Sequence, residues 1–240
     1  MTDVDTTLAG GSWPSRAFYQ LARAVCVGFC RVWFRMTVEG LEHVPRAGPF
    51  VLAPVHRSNM DTPIVCVVTR RRLRYMGKDS LWKKSFPRWF LSALGGFPVT
   101  RGSADKEALV RCIAVLKNGE PLVLFPEGER KSGPLVEPLF DGAAFVAAKA
   151  NAPIVPVGVG GSEQVMPKGS RLIYPRKVHL IVGPPIVVPG ADQGRVPRAV
   201  LAEVTTALHD ELQRLFDMAE ARTGGGKARP VISSGHAPAK

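Results

Sequence analysis

Five short aliphatic runs restrict the fold of this chain more than any other feature: residues 50–53, 73–76, 122–125, 154–159 and 178–182, several of them apolar throughout. A strand that is apolar at every residue has no face to offer water, so it belongs inside a sheet covered on both sides. The runs alternate with helical periodicity at about residues 62–69, 88–94, 104–117, 142–151 and 198–219. Together they predict an α/β fold: a single domain with a mixed or mainly parallel sheet flanked by helices. The chain has 240 residues, and a length of this order buries roughly 70% of the unfolded surface without disulfides or a structural metal. Its 24 Gly and 21 Pro follow no G-X-Y, heptad or solenoid period, which excludes collagen, coiled coil and repeat architectures.

Cys26, Cys30, Cys66 and Cys112 lie in apolar stretches without a C-x-x-C or a histidine cluster, the pattern of small buried hydrophobes in a reducing compartment. Residues 1–11 carry Asp3 and Asp5, and no Lys or Arg precedes Arg16, so they make a poor secretory leader and the chain is expected in the cytoplasm. No run reaches the ~18 uncharged apolar residues of a spanning helix. Residues 15–36 instead predict an amphipathic helix. At 100° per residue Arg16, Arg23, Arg31 and Arg35 share one arc, while Phe18, Leu21, Val25, Phe29, Val32, Trp33 and Met36 gather opposite. That division, with no acid in the segment, suits a helix lying in an anionic lipid interface; a first helix packed on the core is the alternative.

Lys and Arg number 32 against 20 Asp and Glu, a net +12. Residues 70–101 hold Arg70, Arg71, Arg72, Arg74, Lys78, Lys83, Lys84, Arg88 and Arg101 against Asp79 alone, with Trp82, Phe86, Trp89 and Phe90 interleaved. Such a surface fits a phospholipid headgroup layer or single-stranded nucleic acid, and charge alone does not choose. Residues 221–240, with Gly224-Gly225-Gly226 and no apolar period, read as a disordered basic tail. The division is therefore an N-terminal segment 1–41, an α/β domain 42–220 and the tail.

Polar residues cluster where the aliphatic runs end. After residues 50–55 comes His56-Arg57-Ser58-Asn59-Met60-Asp61, then Thr62-Pro63, a helix start with Asp61 or Thr62 at the N-cap. The intervening loop can fold back so that the Asp61 carboxylate meets His56 Nδ1–H and leaves Nε2 as a base. No G-x-S-x-G elbow supplies a nucleophile, and Ser58 cannot be assumed to do so; the activated hydroxyl then belongs to a substrate. Gly95 to Gly102 place Arg101 in a glycine-flanked turn, and the run at 122–125 ends in Pro126-Glu127-Gly128-Glu129-Arg130. Arg101 and Arg130 can clamp a phosphate, and Glu127 can hold an arginine or accept from a substrate hydroxyl. A Glu127–Arg130 surface ion pair is the plainer alternative.

The ordered set His56-x-x-x-x-Asp61, Gly96-Phe97 leading to Arg101, Phe125-Pro126-Glu127-Gly128-x-Arg130 and Ile154-Val155-Pro156-Val157 resembles the four motif blocks of the glycerolipid acyltransferases. Within them it is most similar to bacterial 1-acylglycerol-3-phosphate acyltransferases. The resemblance implies a glycerol-3-phosphate acyltransferase-like fold and transfer of an acyl group from acyl-CoA or acyl carrier protein to a lysophospholipid hydroxyl, without an acyl-enzyme. His56 is then the base and Asp61 its orienting partner. Arg101, Glu127, Gly128 and Arg130 match acceptor-binding positions, Gly128 by letting the backbone approach closely, and residues 154–157 are structural. The resemblance also implies an apolar channel for the donor chain, no metal or cofactor, no nucleic-acid partner, and a peripheral or monotopic place at the cytoplasmic face of an anionic membrane. Val55 stands where many members have Asn, and Glu129 where Thr or Ser is common. The second departure brings negative charge to the expected phosphate site and keeps glycerol 3-phosphate or another lipid hydroxyl open as the acceptor. A non-enzymatic basic binder of lipid or nucleic acid is the remaining alternative. No G-x-G-x-x-G after a strand and no P-loop is present, so hydride transfer and NTP hydrolysis find no motif.

Overall fold

The structure, a computed structural model, describes residues 12–78, 85–99, 105–188 and 196–224. In chain order its elements are α1 (Trp13–Trp33), β1 (Thr37–Glu39), β2 (Val51–Pro54), α2 (Asp61–Ile64) continued by a 3-10 turn Val65–Val68, β3 (Arg74–Lys78) and α3 (Ser85–Ala93). There follow β4 (Gly96–Val99), α4 (Asp105–Lys117), β5 (Leu122–Val123), α5 (Gly142–Ala150), β6 (Ile154–Gly160), α6 (Ser162–Val165), β7 (His179–Val182) and α7 (Arg198–Thr223).

One seven-stranded sheet in the order β1-β7-β6-β2-β5-β3-β4 unites the strands. From β2 to β6 they run parallel, while β7 lies antiparallel to β6 and β1 follows β7. The sheet is mixed and mainly parallel, as the aliphatic runs predict. All four residues of β2 and all seven of β6 are buried, because both strands are central and helices cover both faces. Ile154 to Val157 pair with Val51 to Pro54, so the fourth motif block is a structural strand beside β2.

Two strands lie where no strand was expected. β4 carries Gly96 and Pro98, which break a strand pattern in sequence, and it is tolerated because it forms the sheet edge. It takes up residues 96–99 of the segment whose sequence indicates a glycine-flanked turn, and the remainder, with Arg101, lies outside the described residues. At the opposite edge β1 is three residues long and half solvated; it belongs to the sheet although residues 37–39 were grouped with the N-terminal segment. Conversely, the run at 122–125 is a strand only as far as Val123, although Leu124 stays buried and its N–H still donates to Leu52 O at 3.0 Å. α7 continues to Thr223, into residues assigned to the tail, and the rest of that tail lies outside the described residues.

α1 ends at Trp33, short of residue 36, and Arg35 takes a positive φ of 46°. Its apolar side faces away from the protein: Trp13, Leu21, Val25, Phe29 and Val32 are exposed, while Tyr19, Val27 and Cys30 are buried. The inner face docks through polar contacts. Arg23 Nε donates to the carbonyls of Thr69 (2.7 Å) and Cys66 (3.0 Å), closing the end of the 3-10 turn, and Tyr19 Oη donates to Arg71 O (3.1 Å). In the basic segment 70–101, Arg71 binds the carbonyls of Gly48 and Gly119, Arg72 reaches Ser15 O, and the buried Arg74 pairs with Glu120. These three cations are braces between elements, not the headgroup-facing patch their clustering indicates in sequence.

α7 packs directly on β6. A Cβ at Gly158 would lie 2.4 Å from the backbone of Leu215, and one at Gly160 would lie 2.3 Å from that of Ala219. Backbone cannot swing aside as a side chain can, so the two glycines set the distance between helix and strand. Gly158→Ala is expected to destabilise the chain by about 1–3 kcal/mol through overpacking, read as a fall of several degrees in thermal unfolding.

Candidate active site

The parallel strands deliver their following loops to one end of the sheet, where α/β folds place reactive groups. His56 follows β2, and the Asp61 carboxylate turns back from the first turn of α2 to meet it. His56 Nδ1 lies 3.0 Å from Asp61 Oδ2. The same oxygen accepts the backbone N–H groups of Arg57 and Ser58, each at 2.7 Å. A carboxylate only accepts, so the proton sits on Nδ1 and the lone pair on Nε2. Asp61 is fully buried, and among the described residues its Oδ1 has no hydrogen-bond partner. Besides His56 its hydrogen-bond partners are backbone N–H groups, so an imidazolium formed by proton uptake would bring a full positive charge against it.

The imidazole stacks on Phe125 with centroids 3.9 Å apart, and the His56 side chain keeps 16% of its surface. Among the described residues nothing hydrogen-bonds to Nε2. Ser58 is not placed as a nucleophile: its Oγ donates to Met166 O at 3.1 Å and accepts from Met60 N. Val55, at the first departure from the motif, is wholly buried, and its N–H bonds to Val157 O at 3.1 Å.

Glu127 lies beneath this pair. Its Oε2 accepts from His56 N at 3.1 Å, its Oε1 from Glu137 N at 3.1 Å, and both oxygens accept from Arg57 Nη1 at 2.8 and 2.9 Å. These bonds occupy the carboxylate and leave it no free lone pair for an acceptor. Of the roles open to it in sequence, holding an arginine is the one the geometry displays, and the arginine is Arg57, not Arg130. Gly128 follows at φ +73°, a left-handed turn that disfavours any side chain, and a Cβ there would also crowd Phe140 at 2.7 Å. Arg130 is half-buried and makes no ion pair among the described residues. Glu129 is exposed and pairs with Lys131 Nζ at 2.9 Å, which holds its carboxyl below the ordinary range; Lys168 adds a smaller effect. Lys131 N–H donates to His56 O at 2.9 Å, so this loop lies directly against the histidine. Arg101 lies outside the described residues.

The sequence profile of the family "Acyltransferase" matches residues 35–160. The chain belongs to the acyltransferase family. Among proteins similar to this acyltransferase is the 1-acyl-sn-glycerol-3-phosphate acyltransferase of Bacillus subtilis, 31% identical over 74% of this chain and 86% of that protein. The Pseudomonas aeruginosa protein of the same name is 26% identical over 78% of this chain and 74% of its own. A chloroplastic relative from Brassica napus is 27% identical over 67% of this chain, which spans only 47% of that longer protein. In fold it is similar to the crystal structure of the 1-acyl-sn-glycerophosphate (LPA) acyltransferase PlsC from Thermotoga maritima, with a TM-score of 0.67 and 24% identity over 83% of this chain and 80% of that one.

No sequence motif singles out Arg57. It is 1% exposed, with Nε donating to Gly133 O (3.3 Å) and Nη2 to Leu135 O (2.8 Å), and its guanidinium lies 4.9 Å from the Phe216 ring of α7. One side chain thus ties the His56 loop, the Glu127 loop, residues 133–137 and α7 together. Its counter-ion stands 70 positions away, so no local pattern announces the pair. Arg57→Ala leaves Glu127 buried without a cation and is expected to cost this acyltransferase about 3–5 kcal/mol. Arg57→Met combined with Glu127→Leu removes both charges and should recover most of that loss, as a comparison of the unfolding temperatures would show.

Proposed function

We propose that the chain transfers a fatty acyl group from acyl-CoA or an acyl carrier protein to the free hydroxyl of 1-acylglycerol 3-phosphate, giving phosphatidic acid. The observation that carries the reading is the 3.0 Å contact between His56 Nδ1 and Asp61, which leaves Nε2 basic at the end of β2 beside the Glu127–Arg130 loop. Nε2 takes the proton of the acceptor hydroxyl while Asp61 fixes the ring and offsets the imidazolium charge. The oxygen attacks the thioester carbonyl, the C–O bond forms, the C–S bond breaks, and the imidazolium returns its proton to the departing thiolate. No side chain is acylated in this route. Arg130 and Arg101 are assigned to the acceptor phosphate, Gly128 to the turn that presents Arg130, and Glu127 to holding that loop through Arg57. The names of the bacterial relatives support the acceptor and the reaction class.

His56→Ala is expected to abolish transfer with the unfolding temperature retained. Asp61→Asn should lower turnover by about 10² to 10⁴, the range of positioned general-base catalysis. Both are read as labelled phosphatidic acid formed from purified protein, lysophosphatidate and acyl-CoA. Wild-type turnover in the His56 variant would reject the mechanism.

Glu129 motivates a second acceptor class, glycerol 3-phosphate or another lipid hydroxyl, because it brings negative charge to the site expected for the lysolipid headgroup. Its pairing with Lys131 favours the phosphorylated lysolipid, because the ion pair offsets that charge. Glu129→Gln is therefore expected to lower the KM for lysophosphatidate with kcat little changed, as Lys131 is freed. In wild-type protein, a lower KM for glycerol 3-phosphate or for a neutral lipid hydroxyl than for lysophosphatidate would favour the second class.

The outward apolar face of α1 supports placement on a membrane. Phe18 packs tilted against Trp89 (5.1 Å) and edge-on against Phe90 (6.0 Å) of α3, and the exposed Trp89 and Phe90 extend the aromatic surface beside α1. Among the described residues no helix is long and apolar enough to cross a bilayer, so the attachment proposed is peripheral or monotopic. A water-soluble thioester donor supports the cytoplasmic face as the side of attachment.

A further inference from the structure

Residues 171–177 are exposed without a break, and they include Leu172 (65% exposed), Ile173 (40%) and Tyr174 (39%) in succession. Single exposed apolar residues need no explanation, but three consecutive ones on a segment that forms neither helix nor strand do. Cations bracket them. Between residues 164 and 177 stand Lys168, Arg171, Arg176 and Lys177, and no Asp or Glu. Lys177 is committed to the carbonyl of Arg222 at 2.7 Å, whereas Arg171 and Arg176 form no ion pair among the described residues. Backbone contacts fix the triplet in place: Tyr174 N–H donates to Val165 O (2.8 Å), and Ser170 Oγ both donates to Leu172 O and accepts from Leu172 N.

Strand direction places this segment at the catalytic end of the sheet. β6 runs parallel to β2, so the chain leaves β6 at the end where it leaves β2 for His56. β7 and β1 run the opposite way, so the chain enters both at that same end, with His179 opposite Gly160 and Thr37 opposite His179. The segment is strung between two anchors there. Met166 O accepts from Ser58 Oγ of the histidine loop, and Val178 N–H donates to Phe34 O, just past the end of α1, at 3.1 Å. The exposed Val32 and Trp33 of α1 stand beside the second anchor.

We propose that residues 171–176 are a second membrane-contact element: Leu172, Ile173 and Tyr174 enter an anionic lipid surface while Arg171 and Arg176 meet its headgroups. The proposal deepens the membrane-associated reading above, and its partner is the bilayer, not a protein. Continuity with the outer face of α1 and the sign of the flanking charge select that partner. With α1 it forms a two-sided contact, and the lipid plane then lies across the end of the sheet that carries His56.

The test is co-sedimentation of the full chain with phosphatidylglycerol–phosphatidylcholine vesicles and with pure phosphatidylcholine vesicles. Replacing Leu172, Ile173 and Tyr174 together with Ser should weaken binding to the mixed vesicles about tenfold or more. Leu172→Trp, which adds apolar surface at an exposed position and does not depend on the triple variant folding, should tighten it several-fold. Arg171→Gln with Arg176→Gln should weaken binding to the anionic vesicles and leave the neutral ones unaffected. Unchanged vesicle affinity in the triple variant and in Leu172→Trp overturns the proposal. So does a triple variant that keeps its vesicle affinity and instead loses its response to an acidic acyl carrier protein. Vesicle binding does not require turnover, so a chain that binds through this loop and transfers no acyl group would refute the activity and leave this contact standing.

Discussion

The buried pair of Arg57 and Glu127 is the constraint on which the rest of the site depends. Two opposite charges out of water are tolerable only when nearly every donor and acceptor is met, and here the donors of Arg57 are spent on Glu127 and on three carbonyls. The carboxylate in turn receives the backbone of His56 and of Glu137. Three stretches distant in sequence, around residues 56–57, 127–137 and 216, are therefore held by a network that works only when complete. The histidine is positioned by its main chain from below and by Asp61 from the side, and neither restraint touches Nε2.

Strand order explains why such segments meet. β2 sits at the centre of the sheet with β5 on one side and β6 on the other, so the loops after β2 and β5 emerge side by side and the segment after β6 closes over them. Because the central strands are buried on both faces, the loop positions are inherited from a rigid support. The close approach of α7 to β6 adds to this: the helix that carries Phe216 cannot shift without moving the strand beneath it.

Much of this was legible in sequence, and the limits were physical. His56 and Asp61 could be paired because five residues of loop keep the interaction local, and the central strands were legible because total burial leaves an unbroken aliphatic signature. β4 was not, since Gly96 and Pro98 are permitted by an edge position that only the assembled sheet defines. Arg57 was invisible because its partner is supplied by topology. The amphipathicity of α1 was legible but its orientation was not. A helix with an arginine face and an apolar face can turn either toward the protein, and the choice fell to the free carbonyls at the end of the 3-10 turn, which Arg23 satisfies. The same kind of carbonyl capture removed Arg71 and Arg72 from the surface that their clustering indicated.

The stacking of His56 on Phe125 bears on selectivity between nucleophiles. A base able to activate an alcohol activates water as readily, and every water that attacks a thioester destroys a donor without making a lipid. With one face of the ring against Phe125 and Asp61 at Nδ1, the proton-accepting lone pair is presented in the ring plane at Nε2. In the proposed reaction an acceptor seated at that edge would occupy the direction from which water must approach Nε2.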